Sequence, residues 1–213
     1  EQIDVVDAYL YRELSAPVYT RQPKGTEVAG KENWIWKLKK AIYGLPESGR
    51  AWVAKRDEAM KVIGFTRLRT DPCIYVLRVG PVLVAVGAYV DDFLAAANSK
   101  RALTWFKVQL KRFFETTNLG PLAFLLGREF TRNRFLRQIS FNHRALSERL
   151  LLSVNLADTA PVATLMLSNH NLPPPLISRS ADEIAEMADK PYSSVVASLG
   201  YIARGSRPDL AMP

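Results

Sequence analysis

The chain has 213 residues, of which 48% are hydrophobic, and a formal net charge of +8. That supplies one or two compact domains with real apolar cores, and the cationic balance favours a polyanionic partner or an acidic surface. A single cysteine, Cys73, excludes an internal disulfide and fits an intracellular protein, and with two histidines, His143 and His170, no zinc site is expected.

In chain order, Ile3 to Leu10 mixes β-branched and aromatic residues and reads as a strand already under way, with no starting methionine, so a segment of something longer is expected. Ser15 to Lys31 carries Pro17, Pro23, Gly25 and Gly30 and reads as a loop or short hairpin. Trp34 to Leu38 alternates like a strand. Ser48 to Ile63 reads as a helix with Trp52, Ala59, Met60 and Ile63 on one face and Gly64 as its stop. Cys73–Leu77 and Val82–Tyr89 read as strands. Pro81 to Ala97 is apolar except for two acids, which marks a core hairpin rather than a membrane span. No signal peptide is visible. Asn98 is placed to cap a helix running to about Phe114, with Lys100, Lys107, Lys111 and Arg112 on its polar face.

In the second half, Phe124 to Phe135 reads as a hairpin with a basic turn at Thr131-Arg132-Asn133-Arg134, and Asn142 to Ser153 as a helix. Thr159 to Ile177 is rich in proline and polar residues and reads as a linker. Ser180-Ala181-Asp182-Glu183 has capping-box spacing and predicts a short helix, followed by a last helix over Ser193–Ala203.

Tyr89-Val90-Asp91-Asp92 is the most informative segment. Adjacent carboxylates inside an apolar stretch are costly to bury without a cation, and paired carboxylates are hard oxygen ligands of the kind Mg²⁺ takes. Side chains alternate faces along a straight strand, so both acids approach one site only at a tight turn. The alternative for Asp91 and Asp92 is an ordinary polar hairpin turn.

Seven ordered blocks carry a resemblance. They are Asp4-Val5 with Ala8-Tyr9-Leu10, Val18-Tyr19 with Gln22-Pro23-Lys24-Gly25, and Leu38 to Leu45 with Arg50-Ala51-Trp52. Then come Asp71 to Val76, Tyr89 to Asp92, Leu119-Gly120 with Phe124 to Gly127, and Ser206-Arg207-Pro208-Asp209. In this order and over nearly the whole chain they resemble the reverse transcriptase of copia-type retrotransposons. The resemblance implies an α+β palm, a mostly antiparallel sheet backed by helices, followed by a smaller helical thumb-like region. Residues 1–115 would form the palm with partial fingers elements and 116–213 the thumb or connection.

The implied activity is RNA-directed DNA synthesis by two-metal nucleotidyl transfer, in which two Mg²⁺ (or Mn²⁺) ions roughly 3.5–4 Å from each other are held by Asp4, Asp91 and Asp92. The implied partners are an RNA template with a DNA primer or hybrid, deoxynucleoside triphosphates and the rest of a polyprotein, with no membrane. The implied setting is a cytoplasmic virus-like particle, or the nucleus.

The same resemblance assigns nucleotide contacts to Asp7, Ala8, Tyr9 and Glu47. Asp-Val-Val-Asp-Ala-Tyr is closer to the retroviral version of this segment, in which the aromatic ring lies beneath the incoming sugar and excludes a 2′-hydroxyl. Alternatively Tyr9 is a core aromatic, and Glu47 a first-turn acid favoured by the helix dipole. Tyr89, Leu126, Gly127, Arg128, Arg132 and Arg134 are implied primer or template contacts. Leu126-Gly127 resembles the primer grip, or is a hairpin with a bulge glycine. The arginines, with Arg137, Arg144 and Arg149, suit phosphates, or form a solvated face.

The sequence also departs from the family. Glu47 stands for Gln, Val6 for Lys, His143 and Leu146 for Gln and Tyr, and Ala197 for Gly. A fingers segment before Asp4 and an RNase H domain after Pro213 are expected to be missing. Two rivals follow: a non-catalytic remnant that binds nucleic acid or protein, and a nuclease using the same acids.

Overall fold

The computed structural model describes residues 1–162 and 180–211. Most of the expected linker, from residue 163 onward, lies outside the described residues. The chain divides into two compact units, Glu1–Leu122 and Ala123–Pro213.

The first unit runs β1 (Gln2–Val5), a 3-10 turn (Ala8–Tyr11), β2 (Glu13–Arg21), β3 (Ile35–Lys40), α1 (Ser48–Ile63), β4 (Thr66–Arg67), β5 (Ile74–Val79), β6 (Val82–Tyr89), β7 (Asp92–Ala97), α2 (Lys100–Leu110) and β8 (Thr116–Gly120). Six of these strands form one antiparallel sheet in the order β4-β5-β6-β7-β1-β8, while β2 and β3 make a separate ribbon. Alternation sorts the sheet's residues. Ile3, Val5, Val84, Val86, Phe93 and Ala95 are buried, and they share a core with Trp52, Ala59 and Met60 of α1 and with Ala102, Phe106 and Leu110 of α2. Each fully buried large side chain contributes about 1.5–3 kcal/mol. The α+β architecture expected for this region, an antiparallel sheet backed by helices, is the one observed.

Several boundaries differ from expectation, each for a physical reason. The first strand ends at Val5, not Leu10, because Asp7 takes φ 50 and its carbonyl accepts from the Leu10 N–H at 2.8 Å. A strand covers Glu13–Arg21 where a loop was expected, and its Pro17 falls in the register irregularity between Glu13 and Val18. Asn98 does not cap α2, because its side chain spans the β6–β7 hairpin, donating to the Pro81 carbonyl (2.7 Å) and accepting from the Leu83 N–H (3.1 Å). Ser99 takes the capping position without a side-chain bond, and α2 stops at Leu110.

The second unit holds β9 (Phe124–Leu125), β10 (Arg128–Asn133), β11 (Gln138–Asn142), α3 (Arg144–Ser153), α4 (Ala181–Ala188), α5 (Tyr192–Gly205) and a 3-10 turn (Pro208–Ala211). A three-stranded sheet, β11-β10-β9, therefore accompanies the helices expected of a thumb-like region. The basic turn moves along the chain. Thr131, Arg132 and Asn133 lie in β10, and the connection is 134–137, closing at Arg137 with φ 53. The predicted capping box forms: Glu183 N–H donates to Ser180 Oγ at 3.2 Å, and Ser180 N–H donates to Glu183 Oε2 at 2.8 Å.

His143, 2% exposed, is the hub of this unit. Arg128 Nε donates to its Nε2 at 3.3 Å, which requires that nitrogen to be unprotonated, so Nδ1–H donates to Ser206 Oγ at 2.7 Å. The Tyr201 ring meets it edge-on at 5.0 Å. Burial, then the Arg128 charge, lowers the His143 pKa below its ordinary value.

Candidate active site

Long-range pairing brings the acids together. Strand β1 inserts between β7 and β8, and its register sets Asp4 directly opposite Asp92. Cross-strand partners share a face with Cβ atoms about 4.5–5.5 Å apart. Both acids lie on the face opposite the one that buries Ile3, Val5 and Phe93, so the apolar alternation that builds the core also keeps them off it. Asp91 enters from the turn, where Tyr89 pairs with Asp92 and leaves a two-residue connection, Val90-Asp91. The Val5 N–H donates to the Asp91 carbonyl at 2.9 Å and closes the turn onto β1.

The turn is strained. Val90 takes φ 50, a costly conformation for a β-branched residue, of order 1–3 kcal/mol. Trp52, buried on α1, donates its indole N–H to the Val90 carbonyl at 2.7 Å and so over-determines that geometry.

Asp4 carries a raised pKa, first from burial and then from the charges of Asp91 and Asp92. Among the described residues, none of the ion pairs neutralises any of the three. Asp92 Oδ1 accepts from the Gln2 amide at 2.8 Å, and Asp91 Oδ2 accepts from the Tyr43 hydroxyl at 3.1 Å. The Tyr43 phenol is pushed up to about 12, first by burial and then by Asp91, so it stays a donor.

These residues match a divalent cation in chemistry. Hard carboxylates of Asp4 and Asp92 share one sheet face with Asp91 at the adjoining turn, the charges of Asp91 and Asp92 act on Asp4, and no ion pair among the described residues offsets them. The set is not closed, because among the described residues no three His, Cys, Asp or Glu side chains converge as a ready-made metal cage.

The other predicted residues are placed as follows. Asp7 is exposed at its left-handed turn, Ala8 is buried, and Tyr9 is partly buried with its ring 4.4 Å from that of Tyr43. Tyr89 is exposed at the end of β6. Glu47 flanks the start of α1 and makes no cap bond. It lines a cavity of about 400 Å³ with Arg12, Arg50 and Leu14.

In the second unit, Leu126 and Gly127 are the two central residues of the β9–β10 connection, with φ 51 and 74, so they form a tight turn rather than a bulge. The Tyr201 hydroxyl donates to the Leu126 carbonyl at 2.5 Å. Arg128 is turned inward against Phe141, Tyr201 and His143, whereas Arg132 and Arg134 are exposed.

Gln2, Tyr43 and Trp52 were not singled out from sequence as contacts of the acids. Trp52 stood out as an apolar helix-face residue and as a member of a family block, neither of which ties it to Val90. Tyr43 lay inside a family block, but nothing in its spacing ties it to a residue 48 positions away.

A model of the reverse transcriptase (RNA-dependent DNA polymerase) family matches residues 1–168. The Retrovirus-related Pol polyprotein from transposon TNT 1-94 of Nicotiana tabacum is 34% identical over 212 residues, covering 99% of this chain and 16% of that protein. The corresponding polyprotein from transposon RE2 of Arabidopsis thaliana is 30% identical over 210 residues, covering 99% of this chain and 14% of that protein. The transposon Ty5-1 protein of Saccharomyces cerevisiae is 27% identical over 220 residues, with 99% and 66% covered. The chain thus spans a small part of the length of the two plant polyproteins. It belongs to the reverse transcriptase (RNA-dependent DNA polymerase) family, in the copia-type branch found within retrotransposon Pol polyproteins.

Proposed function

We propose that this chain carries the catalytic palm of an RNA-directed DNA polymerase and extends a DNA primer on an RNA template with deoxynucleoside triphosphates. The observation that carries the reading is the register of Asp4 opposite Asp92, with Asp91 at the adjoining turn and, among the described residues, no ion pair to any of the three. Asp4, Asp91 and Asp92 would hold two Mg²⁺ ions, or Mn²⁺. Once bound, such ions activate a 3′-hydroxyl and neutralise the leaving pyrophosphate.

The chain's own residues supply position. Tyr9 would face the sugar of the incoming nucleotide and disfavour a 2′-hydroxyl. Asp7, Ala8 and Glu47 would line the nucleotide's path. Exposed Tyr89 of the first unit, and in the second, thumb-like unit the Leu126-Gly127 turn with exposed Arg132 and Arg134, suit contacts to an RNA–DNA hybrid, which is recognised by shape and phosphate. The rest of the polyprotein would act alongside it in a cytoplasmic particle, or in the nucleus.

One observation favours a second reading, a non-catalytic nucleic-acid-binding module: Asp92 and Asp91 each have a hydrogen-bond partner in the chain, and the three acids do not form a cage. Primer extension on poly(rA) with an oligo(dT) primer and Mg²⁺ separates the two. The polymerase reading expects extension by the unaltered chain and its loss in Asp91→Asn. Salt-sensitive RNA binding without extension assigns the chain to the second reading.

A further inference from the structure

We propose that Tyr43 is a positioning residue, joining the carboxylate of Asp91 to the ring of Tyr9. This rests on reading Asp91 as a metal ligand and Tyr9 as the sugar-facing ring.

Tyr43 is 54% exposed, yet it is held at both ends. Its hydroxyl donates to Asp91 Oδ2 at 3.1 Å, and its ring meets Tyr9 edge-on at 4.4 Å and 62°. The segment that bears it is anchored on each side. The Ala41 N–H donates to the Arg12 carbonyl at 3.1 Å, and buried Ser48 donates its hydroxyl to the Ile42 carbonyl at 2.6 Å. An exposed tyrosine on an anchored loop is suited to orient a neighbour.

A carboxylate accepts about four hydrogen bonds across its two oxygens, so one from Tyr43 fixes the rotation of Asp91 and leaves Oδ1 to face a cation. Trp52 holds the backbone of the same turn through the Val90 carbonyl. The acid is thus set twice, through its main chain and through its side chain. Partners behind a metal ligand typically govern metal affinity by 10–100-fold.

The two ends of Tyr43 are separable by substitution. Mn²⁺ titration by calorimetry, paired with the binding preference for dUTP over UTP, which differ only at the 2′ position, reads them independently. Tyr43→Phe keeps the ring and loses the hydroxyl; it is expected to weaken Mn²⁺ binding about tenfold with the sugar preference intact. Tyr43→Ala is expected to lose both. The exposed position predicts an unchanged thermal midpoint for either variant.

Tyr43→Phe that binds Mn²⁺ as tightly as the unaltered chain, beside an Asp91→Asn variant that does not bind it, overturns the positioning role and leaves the metal reading standing. A Phe variant that also loses the sugar preference overturns the division between hydroxyl and ring. An unaltered chain that binds no Mn²⁺ overturns this proposal together with the polymerase reading.

Discussion

The two units solve the problem of cohesion differently. The first is held by apolar burial. Trp52, Tyr75, Phe93, Phe106 and Phe114 are all essentially inaccessible to water and interlock, with the Trp52 and Phe114 rings 5.0 Å apart. The second, among the described residues, buries few apolar side chains, chiefly Ile202 and Ala203, and leaves Phe135 94% exposed. Its centre is a hydrogen-bonded histidine flanked by an arginine, a serine and a tyrosine. Apolar burial is non-directional and tolerates repacking, while a polar centre holds only while every partner keeps its geometry and protonation. The first unit is therefore sensitive to lost volume, and the second to added volume and to acid.

The largest expected effect is in the apolar core. Trp52→Ala should cost about 3–5 kcal/mol in urea unfolding and release the Val90 carbonyl; a cost under 1 kcal/mol breaks the contrast. Two glycines of α5 give the next test. A Cβ at Gly205 would overlap the His143 ring, whereas one at Gly200 meets nothing within 4 Å. Gly205→Ala should destabilise by about 1–3 kcal/mol, and Gly200→Ala should stabilise by about 0.5–1 kcal/mol through helix propensity. Equal effects at the two sites would show that the histidine does not set the packing there.

The smallest effect is in pH. The folded-state pKa of His143 is lowered, so below about 6.5 the unfolded chain takes up the proton first. The contribution of His143 is then full above that pH and is lost as pH falls toward the folded-state value. Hydrogen exchange in α5 measured between pH 7 and 5 should show this decline, and His143→Gln should remove it.

Local chemistry was legible where it acts locally. Gly64 stops α1 with φ 107, and the Ser180–Glu183 spacing makes the capping box. The apolar runs on either side of Asp91 gave the β6–β7 hairpin. What escaped was settled by distant partners. Val6 to Leu10 carries the same residue types as a strand, but the left-handed Asp7 bends it away. Asn98 has a good capping side chain, but the hairpin beside it takes that side chain first. The pairing of Asp4 with Asp92 joins residues far apart along the chain, and no periodicity encodes it. Only the family blocks linked them in advance. Gln2 and Tyr43 hold two of the acids; Gln2 belongs to no block, and the block that contains Tyr43 does not tie it to Asp91.

The indole bond to the Val90 carbonyl gives the molecule an optical reporter. Trp34, Trp36 and Trp105 are exposed and their emission is open to iodide, while Trp52 is shielded. A blue, quencher-resistant fluorescence component therefore belongs to the residue that grips the acidic hairpin tip. Its wavelength and lifetime follow any rearrangement of that tip, without a label and before any nucleotide is turned over.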